Sequence, residues 1–321
     1  MTTKSNTLIS TFAQDVFDGL NAPIKRLPSK YFYDEKGDQI FQEIMKMDEY
    51  YLTRSEYEIL STHKEAIYHA FSGNEEIQLI ELGAGDGFKT KVLLEHFIDQ
   101  QLNFEYIPID ISASVLKKLC TDLSKRWPAL KTSPIVDSYS SALKKIDSAK
   151  RKVILFLGSN IGNFNYSQAS KFLLEINNCL KENDLLFLGV DLKKHPQIIL
   201  DAYNDKLGIT KSFNLNLLER MNKELGADFD LSQFEHFPTY DPISGETKSF
   251  LISLRNQTVR FQEPPFKVHF SYAEPIFMEI SKKYDIEELE SLAIQTNYTV
   301  VNHFYDCKEF FVDSLWKKEY L

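Results

Sequence analysis

Leu79-Ile80-Glu81-Leu82-Gly83-Ala84-Gly85-Asp86-Gly87-Phe88-Lys89-Thr90 is the stretch that decides the fold of this 321-residue chain. An apolar run breaks into three closely spaced glycines and then resumes with helical periodicity, which reads as a strand, a tight turn and a helix. Glycine is needed where backbone must turn sharply or approach a ligand without a Cβ in the way, and the helix that follows offers free N–H groups. The turn is therefore expected to hold a nucleotide-like cofactor. Dinucleotide enzymes use G-x-G-x-x-G, and here the third glycine position is Phe88, so that fingerprint fails.

What replaces it is E-x-G-x-G on the first strand, followed by Asp110 at the close of a second strand, Asn103 to Asp110. An acidic side chain there can accept hydrogen bonds from both ribose hydroxyls of an adenosine moiety. The pairing resembles S-adenosylmethionine (SAM) methyltransferases of the Rossmann-like type. Glycine turns also occur as plain strand-to-helix connections, and it is Asp110 that gives this one its weight.

Outward from the turn, strands alternate with helices. Lys152 to Ser159 and Leu185 to Asp191 are near-continuous apolar runs, implying a parallel sheet covered on both faces. Residues 1–72 read as a helical N-terminal segment, with apolar positions at Leu8, Phe12, Val16 and Leu20 and a second helix near Asp38 to Met47. Thr53 and Glu56 have the spacing of a capping box. Residues 73–195 form the expected cofactor-binding domain and 196–284 a second, smaller α+β lobe, in which Phe250 to Leu254 and Thr258 to Phe261 read as a hairpin. Residues 285–321 return to the main sheet through a helix near Ile286 to Thr296 and a strand from Tyr298 to Tyr305.

Composition narrows the partners. The formal charge of -9 argues against a phosphate backbone, and no D/N-P-P-Y/F tetrapeptide of nucleic-acid amino-methyltransferases occurs. Cys120, Cys179 and Cys307 are odd in number and widely spaced, which fits reduced thiols and a cytosolic compartment. The seven histidines lack ligand spacing, so no metal is expected. No apolar run of membrane-spanning length occurs, and a monomer that acts on a small polar molecule is the simplest expectation.

In an open parallel sheet the ligand lies beyond the carboxyl ends of the strands. Gly158 to Asn163 follows one of them with small and amide side chains, and Asn163 offers both donors and an acceptor. Tyr31, Tyr33, Tyr50, Tyr51 and Tyr203 form an aromatic set of which Tyr33 and Tyr50 fall in polar loops. Singly, each is an ordinary packing tyrosine.

Phe32-Tyr33-Asp34, Glu49-Tyr50-Tyr51 followed by Thr53-Arg54, the E-L-G-A-G turn, F-L-G-S-N-I-G-N at 156–163 and A-D-F-D at 227–230 together resemble the L-histidine Nα-methyltransferases of ergothioneine biosynthesis, nearly end to end. The resemblance implies a two-lobed SAM enzyme that methylates the α-amine of histidine three times, giving hercynine. It carries the cofactor site onto Gly83, Lys89 and Asp110, with Ser138 and Tyr139 at the adenine. Relatives have Asp-Phe there, so the acceptor for the adenine amino group falls to Ser138 or to Asp137 beside it. The amino-acid site falls on Tyr50, Asn163, Tyr203, Glu279 and Ser281, with Asn163 and Tyr203 on the substrate carboxylate and Glu279 and Ser281 on the imidazole. Tyr33 is the candidate to orient the amine or pass its proton to water. Ile252 stands where bacterial histidine enzymes carry methionine, which keeps the position apolar and changes its shape. A tryptophan-derived amine as substrate, or SAM binding without turnover, are the alternatives.

Overall fold

The computed structural model describes residues 10–73, 75–146 and 150–319; Leu8 lies outside them. The chain divides into two compact units, each assembled from three segments.

The larger unit comprises Tyr50–His195, Pro242–Glu246 and Ser281–Leu321. Its strands up to the first chain crossing are β1 (Ile77–Leu82), β2 (Phe104–Asp110), β3 (Ile135–Val136), β4 (Arg151–Phe156) and β5 (Leu185–Asp191). The other unit contributes most of β6 (Phe234–Asp241), β7 (Glu246–Ser253), β8 (Gln257–Gln262), β9 (Pro265–Phe270) and β10 (Pro275–Lys282), after which the chain returns with β11 (Tyr298–Tyr305) and β12 (Phe311–Lys318). The seven-stranded sheet has the order β11-β12-β5-β4-β1-β2-β3. β1 to β5 run parallel, whereas β12 pairs antiparallel with β5 and β11 antiparallel with β12. The sheet is thus mixed, and β12, which the sequence reading missed, separates β11 from β5.

The miss has a physical cause. β12 reads Phe-Val-Asp-Ser-Leu-Trp-Lys-Lys, with two polar residues at its centre, yet Asp313 and Ser314 are fully buried. Ser314 is satisfied by the Trp316 indole N–H at 2.6 Å. Asp313 belongs to a charged cluster considered below. Elsewhere burial follows the apolar runs: Ile80, Leu82, Ile154, Phe156, Leu186 and Leu188 form the centre of one face.

β1 has β2 on one side and β4 on the other, so strand order reverses at its carboxyl end. Such a switch point opens a crevice for ligands. The turn that follows holds Gly83, Gly85 and Gly87 at positive φ. At Gly83 a side chain would be strained by the backbone and crowded as well, because a Cβ would lie 2.6 Å from the Tyr139 hydroxyl and 2.9 Å from Asn160 Nδ2.

The smaller unit comprises Met1–Glu49, Pro196–Asp241 and Thr247–Ile280. A three-stranded sheet of order β10-β7-β6 and the β8-β9 ribbon accompany four helices, Thr11–Leu20, Glu35–Ile44, Pro196–Tyr203 and Ile209–Leu225. Asp34 caps the second of these through the Gly37 N–H at 2.7 Å and accepts from Asn216 Nδ2 at 2.8 Å, tying it to the fourth. The expected β7–β8 hairpin is corrected: β8 pairs with β9, and β7 lies between β6 and β10. Pro264-Pro265 lowers the strand signal of β9, which hides the true partner. Residues 1–72 do not fall in one unit: the helix Leu52–Phe71 belongs with the larger one.

Candidate active site

The five cofactor candidates lie in the larger unit, at the end of β2 and on the segments that follow β1 and β3. Asp110 ends β2, and its two oxygens accept from the Gly85 N–H at 3.0 Å and the Ser112 N–H at 2.9 Å. Burial pushes this carboxyl above its ordinary range, against the opposing pull of the Ser112, Gly85 and Ile111 N–H groups. Those N–H groups fix its direction and leave acceptor capacity in a carboxylate for two ribose hydroxyls. No heavy atom lies within 4 Å of where a Cβ of Gly85 would project, so the turn is open at that residue. A glycine turn with room in front of it and an oriented carboxylate at its side fit an adenosine-bearing ligand.

Tyr139 opens the short helix Tyr139–Leu143, its ring edge-on to Phe156 at 5.4 Å and tilted against Phe172 at 5.8 Å. Burial holds its hydroxyl well above the ordinary phenol range. Ser138 precedes it. Of the two adenine-acceptor candidates, Asp137 is already engaged: Oδ1 accepts from the Ser138 N–H at 2.7 Å and Oδ2 from Lys145 at 2.6 Å. The Lys145 ammonium holds the Asp137 carboxyl below its usual range.

Lys89 is paired with Glu56, which the sequence reading had assigned to a helix cap. The helix Leu52–Phe71 has no side-chain cap bond. Glu56 is instead fully buried, one oxygen on Lys89 Nζ and the other accepting from the Gly158 N–H at 2.7 Å. A Cβ on Gly189 would collide with that same oxygen and come within 3.1 Å of Asp313, so the middle of β5 must be glycine. Burial, and then the nearby Glu56 carboxylate, push the Asp313 carboxyl well above its usual range. A third buried carboxyl, Glu81, accepts from Thr90 Oγ1 at 2.5 Å and from the Tyr106 hydroxyl; burial pushes it up to about 7.

A second charged cluster sits at the carboxyl end of β5. Asp191 is fully buried, with Lys194 Nζ at 2.5 Å, Lys283 Nζ at 2.8 Å and the Tyr51 hydroxyl at 2.9 Å. Burial pushes its carboxyl up, and the two lysines more than offset that, holding it below the usual range. Lys283 also donates to Ser281 Oγ at 2.8 Å. The loop bearing Asn163 meets the same region, because Gly162 lies so close to Lys282 that a Cβ would be 2.8 Å from its carbonyl oxygen. In that loop Gly158 and Ser159 are left-handed. Tyr50 immediately precedes Tyr51. Asp191, Lys194 and Lys283 are not among the candidates drawn from the sequence, although an aspartate ending an otherwise apolar strand is a usable signal.

The other three candidates, Tyr33, Tyr203 and Glu279, belong to the smaller unit. Tyr33 ends a 3-10 turn with its ring edge-on to Phe41 and Phe213, each at 5.6 Å. Tyr203 ends the helix Pro196–Tyr203, buried, its carbonyl bonded to His236 Nε2 at 2.9 Å. Glu279 lies in β10, two residues before Ser281 and so on the same face of the strand.

The strand order with its antiparallel β12, the open glycine turn and the oriented Asp110 define a class I SAM-dependent methyltransferase. A likeness in fold alone is found with the mitomycin 7-O-methyltransferase MmcR, at a TM-score of 0.50 and 10% identity over 96% of this chain and 69% of that one. The chain belongs to the SAM-dependent histidine-specific methyltransferase family, whose model matches residues 12–318. It is 35% identical over 276 residues to the histidine N-alpha-methyltransferase of Mycolicibacterium smegmatis, covering 86% of this chain and 85% of that protein. It is 28% identical over 298 residues to ergothioneine biosynthesis protein 1 of Schizosaccharomyces pombe, covering 89% of this chain and 38% of the longer fungal protein.

Proposed function

We propose that the protein transfers three methyl groups from SAM to the α-amine of L-histidine, forming hercynine for ergothioneine synthesis. When bound, SAM supplies an electrophilic methyl group on a sulfonium. In this reading Asp110 takes the ribose hydroxyls, Gly83 admits the cofactor to the turn, Lys89 receives its carboxylate end, and Tyr139 and Ser138 take the adenine. Asn163, Tyr203 and Tyr50 hold the amino acid, and Glu279 and Ser281 take its ring.

One observation carries the substrate assignment: a carboxylate and a hydroxyl lie two residues apart on one face of β10. Neutral imidazole carries one N–H donor and one acceptor nitrogen, which such a pair can satisfy together. An apolar ring would leave both protein groups unpaired, at a cost of about 1 to 3 kcal/mol each. A carboxylate grip and a ring grip leave the amine as the part free to change, so that a methylated product can be bound again. The amine must be neutral before each transfer, and Tyr33, fixed by its aromatic neighbours, is placed in the role of orienting it. Three free cysteines are consistent with a reducing compartment, and we assign the activity to the cytosol.

Glu279→Ala is expected to weaken histidine use by about 1.5 to 3 kcal/mol, one charge-assisted hydrogen bond, with SAM affinity little changed. Steady-state kinetics with histidine beside calorimetric titration of SAM measures both. Equal losses in the two would remove Glu279 from the substrate site.

A further inference from the structure

Ser281 does not stand alone. Its hydroxyl oxygen accepts from Lys283 Nζ at 2.8 Å, and Lys283 is itself anchored on Asp191 at 2.8 Å, with side chains of both fully buried. The backbone around Lys283 is pinned on two sides. Its N–H donates to the Gly245 carbonyl at 2.7 Å, and the next N–H, of Tyr284, donates to the Asp191 carbonyl at 3.1 Å. Asp191 is also fixed from behind by its N–H on Ser159 Oγ at 3.0 Å. The ammonium therefore has little freedom to leave Ser281.

An ammonium only donates, so in this contact the serine oxygen must be the acceptor, and the hydroxyl's single proton points away from Lys283. A serine rotor that might otherwise accept or donate is thereby biased toward donating. We propose that Lys283 is a positioning residue for histidine specificity: held by Asp191, it makes Ser281 a donor to the imidazole's lone-pair nitrogen, complementing Glu279 as acceptor for the ring N–H. The inference rests on the reading of Ser281 as part of the substrate site. It adds that a residue not touching the ring sets the polarity of the pocket, and with it the preference for neutral imidazole over rings lacking an acceptor nitrogen.

A double-mutant cycle of Lys283→Met and Ser281→Ala tests it, read as kcat/KM for histidine with SAM affinity measured in parallel by calorimetry. Methionine keeps the length of the stem, and Lys194 and the Tyr51 hydroxyl still face Asp191, so the buried carboxylate retains a counterion. Lys283→Met is expected to lower kcat/KM about 10-fold in the native background, one hydrogen bond's worth, and less than about 2-fold in the Ser281→Ala background, with SAM affinity unchanged in both. The same loss in both backgrounds, or a parallel loss of SAM affinity, would overturn the positioning role and leave the reading of Ser281 standing. A Ser281→Ala enzyme that uses histidine as well as the native one would overturn that reading and the proposal with it. Should Lys283→Met not fold, Lys283→Leu, which likewise has no donor, is read in the same two backgrounds by the same criterion.

Discussion

At the scale of single residues, the chain stores its chemistry in buried carboxyls whose surroundings differ. Glu81 accepts from the Thr90 and Tyr106 hydroxyls, and burial raises it to about 7. Its unfolded-state value is near 4.5, so the folded protein retains this proton over a range in which the unfolded chain has released it. Stability from this group is complete below about 4.5 and falls as pH rises toward 7, by roughly 3 kcal/mol in all. Glu81→Gln, which cannot ionise, is expected to flatten that slope. Chemical denaturation at mildly acidic and mildly alkaline pH measures it, and an unchanged slope would show that Glu81 is ionised in the native protein. Asp191 has the opposite sign: with two lysines on it, its contribution is present above the ordinary aspartate range and is lost only as pH falls through its lowered value. Asn163→Ala is expected to raise the KM for histidine and leave SAM binding alone; unaltered kinetics would remove it from the carboxylate.

The same scale shows why some residues were legible in the sequence and others were not. Asp110 was readable because a carboxylate after an apolar strand and a glycine turn is a local pattern. Glu56 was misread because a local capping pattern competed with a partner 33 residues away, Lys89, and tertiary contact won. Lys283 was passed over beside Ser281, since nothing local marks a lysine as fully buried until its counterion, Asp191, is placed next to it.

At the scale of elements, the helix Leu52–Phe71 reaches the segment after the glycine turn through Glu56, which links the Lys89 side chain to the backbone after β4. Glu56→Gln keeps an acceptor for the Gly158 N–H and gives up the charge on Lys89. It is expected to weaken SAM binding by about 1 to 2 kcal/mol, measured by calorimetry, with the KM for histidine at saturating SAM unchanged. Unaltered SAM affinity would confine Glu56 to a structural role. Strands with continuous apolar runs, β1, β2, β4 and β5, were found within a few residues of their observed bounds. β12 and β9 were not, the first because Asp313 and Ser314 interrupt its apolar pattern, the second because Pro264 precedes it and Pro265 opens it.

At the scale of the whole molecule, both units are stitched from segments distant in the chain, and β10 crosses from one to the other between Ile280 and Ser281. Periodicity reports elements, not which distant segments they join, so the α/β class was legible and the partition at residue 50 was not. Among the described residues no helix is long and apolar enough to cross a membrane. Ligand linkage acts on the larger unit as a body: SAM at 100 times its dissociation constant is expected to stabilise the protein by about 2.7 kcal/mol. Asp110→Ala should lose most of that gain, read as a shift in thermal midpoint, and an equal gain in the variant would place the ribose elsewhere.

The most direct test of the account is to supply SAM carrying a deuterated methyl group with a mixture of histidine, tryptophan and phenylalanine, and to locate the label by mass spectrometry and NMR. Three labelled methyl groups on the α-nitrogen of histidine, and none on the other amino acids, are expected. Label on an imidazole nitrogen, or on tryptophan with histidine untouched, would contradict it.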